Sequence, residues 1–342
     1  MLDWQDANNG SIPDGAQHAG VDTDKLPLYV ARARIPGRGN GWQPGKIRVG
    51  LGAAYIPFGG AEVSVDSYQV LMNPSIYFPT IAGAPEGEGY EGTYPPETGG
   101  WIPPGYPGSW GYAYSEFATE PHAILCGQDV DGSPLFCAVV SYEGVQPGKA
   151  GWQLGGANIG YGGDEMQGLS PYGVLCDESF GWEMGNPNAP VPPGSVPCGT
   201  DDDGGTLYLA RAIDFHWLEF NPPVSEPQGS TGLQLGKIRA DGWGLQGACI
   251  PYAGQEHHVP NCQVLTAPSG KSLVWVEAAN GEIPDGALAL GCEGNGMPLF
   301  AARGFIGSAL QVGKIRPGFE GAYIPYEGNE VSVTQYAILV AP

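Results

Sequence analysis

The chain sets short apolar runs between clusters of glycine, proline and acidic residues. In "LYVARA" (28–33), Leu28, Val30 and Ala31 are apolar, while Tyr29 and Arg32 can turn outward, the pattern of a strand with one buried face. "IPDGA" (12–16) reads as a turn that starts a short strand. "AYIPFGG" (54–60) reads as a strand broken by Pro57, where an edge or a bulge is expected because proline donates nothing to a ladder. "YQVL" (68–71) reads as a closing strand. No segment combines a sustained helical period with good helix formers. The expected class is all-β, built of short antiparallel strands.

These elements recur in the same order four times. The first copy runs "WQDANNGSIPDGAQHAGVDTDKLPLYVARA" (4–33) and "GKIRVGLGAAYIPFGGAEVSVDSYQVL" (45–71). The last runs "WVEAANGEIPDGALALGCEGNGMPLFAARG" (275–304) and "GKIRPGFEGAYIPYEGNEVSVTQYAIL" (313–339). The middle two are looser, closing with "YGVL" (172–175) and "CQVL" (262–265). The boundaries expected are repeat 1 at 1–76, repeat 2 at 110–176, repeat 3 at 182–266 and repeat 4 at 275–342. A Pro/Gly/Glu-rich segment at 77–109 reads as an extended linker, or as chain pinned to a surface by Tyr94, Trp101 and Tyr106. Repeat 3 carries an insertion at 214–232. The repeats are expected to pair into two pseudo-two-fold modules; the close match of first and last copies also leaves open a ring that joins one to four.

The net charge of -22 and pI of about 4.3 argue against nucleic acid and anionic membrane as partners. Gly 57 and Pro 33 are high, yet 42% hydrophobic and 11% aromatic residues suffice for packed cores rather than disorder. No apolar run is long enough to span a membrane. The N-terminal "MLDWQDANNG" has neither a basic region nor an apolar stretch, so no secretory leader is expected. Seven cysteines, an odd number without a C-x-x-C, read as buried thiols of a reducing compartment, which predicts a cytoplasmic protein. A zinc site is not expected, for want of paired ligands, and His257 and His258 beside Glu256 do not make one unaided.

Only 14 residues are Lys or Arg, yet Gly-Lys recurs in "PGKI" (44–47), "PGKA" (147–150), "LGKI" (235–238) and "VGKI" (312–315). Each follows a G-x-acid element. Together with the leading Trp, the P-x-x-A turn, the "LYVARA" strand, the "AYIPFGG" strand and "YQVL", the chain resembles the DM-9 (DM9) repeat family over nearly all of its length outside 77–109 and 214–232. The resemblance implies an all-β, pseudo-two-fold module, and no cofactor is expected. Some members are lectins that recognise mannose without a metal ion, through the G-x-D acid and the G-K lysine. Carried over, these residues are Asp22 and Lys46 in copy one, Asp129 and Lys149 in copy two, Asp201 and Lys237 in copy three, and Glu293 and Lys314 in copy four. Glu293 departs from the usual Asp, and copy two has Val139 in place of the strand arginine and lacks the strand proline. Copy one, complete in every element, is expected to be the strongest site.

A carboxylate accepts from two adjacent sugar hydroxyls while an ammonium donates to their lone pairs, so an acid beside a lysine suits a diol. The glycine would let the backbone come close to the ligand. The alternative is an acid–lysine pair that only fastens two strands. Glu62, Glu165, Glu256 and Glu330, in the turn after each proline strand, would hold the lysine or stabilise the turn. Arg32, Arg211 and Arg303 would support the loop through carbonyls or acids. Trp4, Trp110, Trp182 and Trp275 read as core or repeat-interface aromatics first, and as sugar-stacking platforms second. The leading function is a multivalent, metal-independent lectin for mannose-containing glycans, with self-association left open. A scaffold of β repeats is the alternative. A glycoside hydrolase is disfavoured, because the partner of each acid is lysine rather than a second carboxylate.

Overall fold

A computed structural model of the chain describes residues 2–72, 110–113, 123–170, 172–177, 180–185, 189–212, 232–241, 244–260, 262–268 and 273–341. The linker at 77–109, with Tyr94, Trp101 and Tyr106, lies outside them, as does the insertion at 214–232 except for Gly232. Among the described residues there is no helix, and every strand pairing is antiparallel.

The chain divides into two compact units, residues 1–178 and 179–342. Copies one and two therefore share one unit, and copies three and four the other.

In the first unit, copy one supplies β1 (Trp4–Asn8), β2 (His18–Val21), β3 (Pro27–Arg34), β4 (Trp42–Ile47), β5 (Ala54–Phe58), β6 (Ala61–Val65) and β7 (Ser67–Leu71). Copy two supplies β8 (Trp110–Ala113), β9 (Ala123–Gln128), β10 (Pro134–Ser141), β11 (Val145–Gly151), β12 (Gly156–Tyr161), β13 (Asp164–Leu169) and β14 (Tyr172–Leu175). Strand β3 is the hub of copy one. It pairs with β4 along one edge and with β2 and then β7 along the other, and β1 closes on β7. The β5–β6 hairpin joins through Lys46 opposite Tyr55. Copy two repeats the plan around β10.

The second unit follows the same order. Copy three supplies β15 (Gly181–Gly185), β16 (Pro197–Thr200), β17 (Thr206–Ala212), β18 (Gly232–Leu233), β19 (Leu235–Asp241), β20 (Gly244–Tyr252), β21 (Gln255–Val259) and β22 (Cys262–Thr266). Copy four supplies β23 (Val274–Ala279), β24 (Leu288–Glu293), β25 (Pro298–Ile306), β26 (Ala309–Ile315), β27 (Ala322–Tyr326), β28 (Asn329–Val333) and β29 (Gln335–Val340). Strands β17 and β25 are the hubs.

Copies one and three each close over a small core of their own. In copy one, Ala31, Ala33, Ile47, Ala54, Ile56 and Val70 pack together with Tyr68. Ala210, Ala212, Ile238, Ala248, Ile250 and Val264 do the same in copy three. Small side chains on the hub strands, Ala31 and Ala33 in copy one and Ala210 and Ala212 in copy three, let the crossing strands approach closely. Pro57 lies beyond Tyr55, where the ladder with β4 has stopped, so its missing donor falls at an edge rather than at a bulge.

Arg32 differs from its expected outward exposure, being only 5% exposed. It does leave the aliphatic core, but Trp4 and Trp42 cover its guanidinium at 4.2 and 4.8 Å. Its Nη1 donates to the Cys126 carbonyl of copy two at 2.8 Å. The fold thus buries this cation between copies, where a carbonyl and a ring face replace water.

The recurring glycines have a packing cause. A Cβ at Gly45, Gly148, Gly236 or Gly313 would lie 2.4, 2.2, 2.1 or 2.2 Å from a backbone carbonyl of the following strand. The glycine of Gly-Lys thus admits a neighbouring strand, where the sequence suggested close approach to a ligand. The glycine of each G-x-acid element meets the other copy. A Cβ at Gly20, Gly127, Gly199 or Gly291 would lie 2.1, 2.0, 2.1 or 2.2 Å from the carbonyl of Val145, Trp42, Leu310 or Leu233. Each of those four residues directly precedes a glutamine. Acid strand and glutamine strand from opposite copies are thereby pressed together, as in the pairing of Val21 with Val145 and of Thr200 with Leu310.

Candidate functional site

That docking builds the same polar network four times. In copy one, Lys46 Nζ donates to Gln146 Oε1 of copy two at 2.8 Å. Gln146 Nε2 in turn donates to Asp22 Oδ1 at 3.3 Å. Reciprocally, Lys149 donates to Gln43 at 2.8 Å, and Gln43 donates to Asp129 at 3.3 Å. In the second unit Lys237 donates to Gln311 at 2.5 Å and Gln311 to Asp201 at 2.9 Å. Lys314 donates to Gln234 at 2.6 Å and Gln234 to Glu293 at 2.8 Å. The longer Glu293 therefore still reaches its network.

Each predicted acid and lysine thus share one site, but a glutamine stands between them. The acid takes a guanidinium instead. Arg48 Nε lies 2.9 Å from Asp22, Arg239 Nη1 lies 3.1 Å from Asp201, and Arg316 Nε lies 3.0 Å from Glu293. Copy two has Gly151 at this position, and Asp129 has no guanidinium partner among the described residues. Asp203 adds a second carboxylate to Arg239 at 2.6 Å.

The turn acids lie beneath. Glu62 is 3.4 Å from Lys46, Glu165 is 3.7 Å from Lys149, and Glu330 is 4.0 Å from Lys314. They also clasp the other copy's hairpin tip. Gly163 N donates to Glu62, Gly60 N to Glu165, Gly328 N to Glu256 and Gly254 N to Glu330, at 3.1, 2.7, 2.8 and 2.7 Å. Those tips suit the task because both turn residues have positive φ, as at Gly59 (63°) and Gly60 (86°), which turns the amide outward. Glutamate thus serves lysine and turn together. An aromatic ring of the opposite copy covers each ammonium: Tyr161 over Lys46, Phe58 over Lys149, Tyr326 over Lys237 and Tyr252 over Lys314, at 5.2 to 5.6 Å.

The result is a layered site. The lysines are 2 to 7% exposed and the glutamines 0 to 1%. The acid–arginine pairs lie nearer solvent, with Asp22 and Arg48 side chains 17% and 20% exposed and Asp201 and Arg239 25% and 38%. Burial pulls the pKa of Lys46, Lys149, Lys237 and Lys314 below the ordinary lysine value, against the opposing pull of nearby carboxylates. Burial pushes Asp201 up, but Gln311, the Asp202 amide, Lys237 and Arg239 outweigh it and hold the acid below its ordinary range. Glu165 is likewise held low against burial, chiefly by the Gly60 amide and by Gln167, Lys149 and Asn158.

The strand arginines brace the opposite copy's acid strand. Arg32 bonds the Cys126 carbonyl, Arg211 the Leu290 carbonyl at 3.5 Å, and Arg303 the Cys198 carbonyl at 3.4 Å. Each of those carbonyls directly precedes a G-x-acid element. Trp4, Trp182 and Trp275 stack on the same arginines at 4.2, 4.2 and 4.5 Å, so one face of each indole is engaged within its own copy. The side chain of Trp110 lies outside the described residues.

In copy three the network opens into a cleft of about 520 Å³ lined by Asp201, Asp202, Lys237, Arg239, Glu256 and Tyr326. Cys249 and His258 also line it, and with Glu256 they bring three donor atoms within 4.8 Å of one another. The sequence spacing placed His258 beside Glu256 but did not bring Cys249 to them, because Cys249 and His258 face each other across a hairpin. The glutamines and the Lys-x-Arg arginines were missed as well. Their signal was in the sequence: glutamine stands three residues before every Gly-Lys lysine, at 43, 146, 234 and 311.

The DM9 repeat family matches residues 1–65, 143–215 and 230–333, well over half of the chain. The chain belongs to the DM9 repeat family. No curated protein sequence matches it. Among solved structures, the nematode sperm cell motility protein MFP2B is similar, with 14% identity and a TM-score of 0.34 over 100% of this chain and 98% of that one.

Proposed function

We propose that this chain is a non-enzymatic lectin that takes mannose-type glycans, without a metal ion, at its acid–glutamine–lysine sites. The copy-three cleft is the observation that carries this reading. Its volume of about 520 Å³ falls in the range of small-ligand sites, and its walls are mostly polar. A pyranose diol needs acceptors and donors side by side. The Asp201 carboxylate and the Arg239 guanidinium offer both near the surface, over Lys237, and the Tyr326 ring offers an apolar face to sugar carbons. Each site is weak, since sugar hydroxyls exchange water bonds for protein bonds at small net gain, and repetition compensates through multivalency. Catalysis is disfavoured because Asp201 is held ionised, which suits grasping a diol and not donating a proton.

A scaffold reading has its own support: every lysine–glutamine bond joins two copies, so the network also fastens the unit. Calorimetry with mannose and mannan, with and without EDTA, separates the two. Binding in both buffers supports the lectin. Binding abolished by EDTA overturns the metal-free mechanism, and no binding in either buffer leaves the scaffold. The seven cysteines, among which there is no disulfide, fit the reducing, cytoplasmic setting we propose.

A further inference from the structure

We propose that Cys249, Glu256 and His258 form a binding site for a divalent transition-metal ion of the zinc class in the copy-three cleft. Cys249 and His258 face each other across the β20–β21 hairpin. Their Sγ and Nδ1 atoms are 3.5 Å apart. Zinc bonds to sulfur and nitrogen at tetrahedral angles place those two atoms about 3.6 Å apart. The Glu256 carboxylate completes a set whose donor atoms all lie within 4.8 Å of one another.

The other copies show what this hairpin holds when it holds no such set. The positions of Cys249 and His258 are occupied by Tyr55 opposite Ser64 in copy one and by Tyr323 opposite Ser332 in copy four. Copy two has Asn158 and Gln167 at the matching places. Only copy three changes both facing residues into metal-ligand types, on either side of a glutamate that every copy keeps. That glutamate has further neighbours here. In copies one, two and four the turn acid lies 3.4 to 4.0 Å from the site lysine. Glu256 likewise acts on Lys237, and its carboxylate also lies within 4.8 Å of the Cys249 and His258 donor atoms.

The donor set selects the metal. A thiolate with an imidazole suits zinc and its neighbours and not calcium or magnesium, which take oxygen. Coordination takes sulfur as thiolate, so the thiol proton leaves to solvent as the metal binds. Asp201, Asp202, Glu256 and Glu327 on the same walls outnumber Lys237 and Arg239, which favours a cation. Three protein ligands leave a fourth position open to the cleft for water or another oxygen ligand.

The test uses the full chain and cobalt(II), whose spectrum reports thiolate ligation. The expected result is one equivalent of cobalt with a sulfur-to-cobalt charge-transfer band, displaced by zinc, and a melting temperature raised by zinc. The variant C249Y/H258S installs the pair that copies one and four already fold around, and His258→Ser alone is a milder control. Both should lose the band and the zinc-induced shift while melting like the metal-free parent. No charge-transfer band in the parent overturns the proposal, and so does an unchanged band in C249Y/H258S. The readout involves no sugar, so either outcome leaves the lectin reading to its own experiment.

Discussion

Gln146 lies 100 residues after Lys46 in the chain and accepts its hydrogen bond at 2.8 Å. This bond makes each site the property of two copies. Glutamine and lysine three apart on one strand point to opposite faces, so they serve different sites. Lys46 looks toward its own acid, while Gln43 of the same strand crosses to Lys149. A buried ammonium is costly unless paired and hydrogen-bonded, and the glutamine supplies a neutral acceptor that also donates onward to the acid.

Gln146→Leu should therefore harm more than its own position. It leaves Lys46 short of an acceptor and Asp22 short of a donor. The loss expected is about 1–3 kcal/mol of stability, the cost of orphaning a buried polar group. Urea unfolding checks the stability. Calorimetry should show weaker binding at copy one, since the acid is no longer oriented.

Gly45→Ala and Gly20→Ala test the packing cause assigned to the two motif glycines. Each new Cβ would collide with a backbone carbonyl, at 2.4 Å from Tyr55 and 2.1 Å from Val145 respectively. Backbone yields poorly, so each should cost at least the upper end of the roughly 1–3 kcal/mol typical of overpacking. Thermal melting reads this. A melt within a degree or two of the parent would return the glycines to the ligand-approach role.

The all-β class, the strand order and the fourfold repeat were legible because strand alternation and turn residues are local signals. Asp22, Lys46 and their equivalents were legible through the family motif. What lies between them was not, because strand sequence fixes which residues share a face and not which distant strand they meet. Gln146 therefore gave no hint that it belonged to Lys46. Val139 likewise has its consequence across the copies. The arginine it replaces would brace the opposite copy's acid strand, as Arg32 braces that of copy two. Its loss falls on the strand that carries Asp22, whereas the absence of an arginine at Gly151 falls on Asp129. Copy one and copy two each carry one deficit.

Glu165 gives a pH dependence with a definite sign. Its folded pKa is held below the ordinary 4.5 despite burial, through the Gly60 amide, Gln167, Lys149 and Asn158. A depressed carboxylate stabilises fully above its unfolded value and loses that contribution as pH falls through its folded value. Glu165→Gln should cost on the order of 2 kcal/mol at neutral pH, as expected for hydrogen bonds to a charged group. The gap between parent and variant in urea unfolding should shrink below pH 4.5. A gap that stays constant from pH 7 to about 3 would show that the charge is not what matters.

Asp22→Ala and Lys46→Ala should separate binding from fastening, because the two residues occupy different layers. The Asp22 side chain is 17% exposed and pairs with Arg48 near solvent, whereas Lys46 is 5% exposed and is enclosed by Gln146, the Gly160 carbonyl, Glu62 and Tyr161. Removing Asp22 deletes charged hydrogen bonds to a bound diol, worth about 1.5–3 kcal/mol. Affinity at that site should fall on the order of tenfold or more, with the melting temperature little changed. Removing Lys46 leaves Glu62 buried without its cation and two oxygens without a donor, so stability should fall as well, by about 3 kcal/mol or more. Calorimetry with mannose and thermal melting on both variants give four numbers. If Lys46→Ala melts far lower while mannose still binds with the parent's stoichiometry and affinity, the lysine is a fastener between copies and the sugar contacts lie in the acid–arginine layer above it. If Asp22→Ala leaves affinity and stoichiometry unchanged too, copy one is not a sugar site.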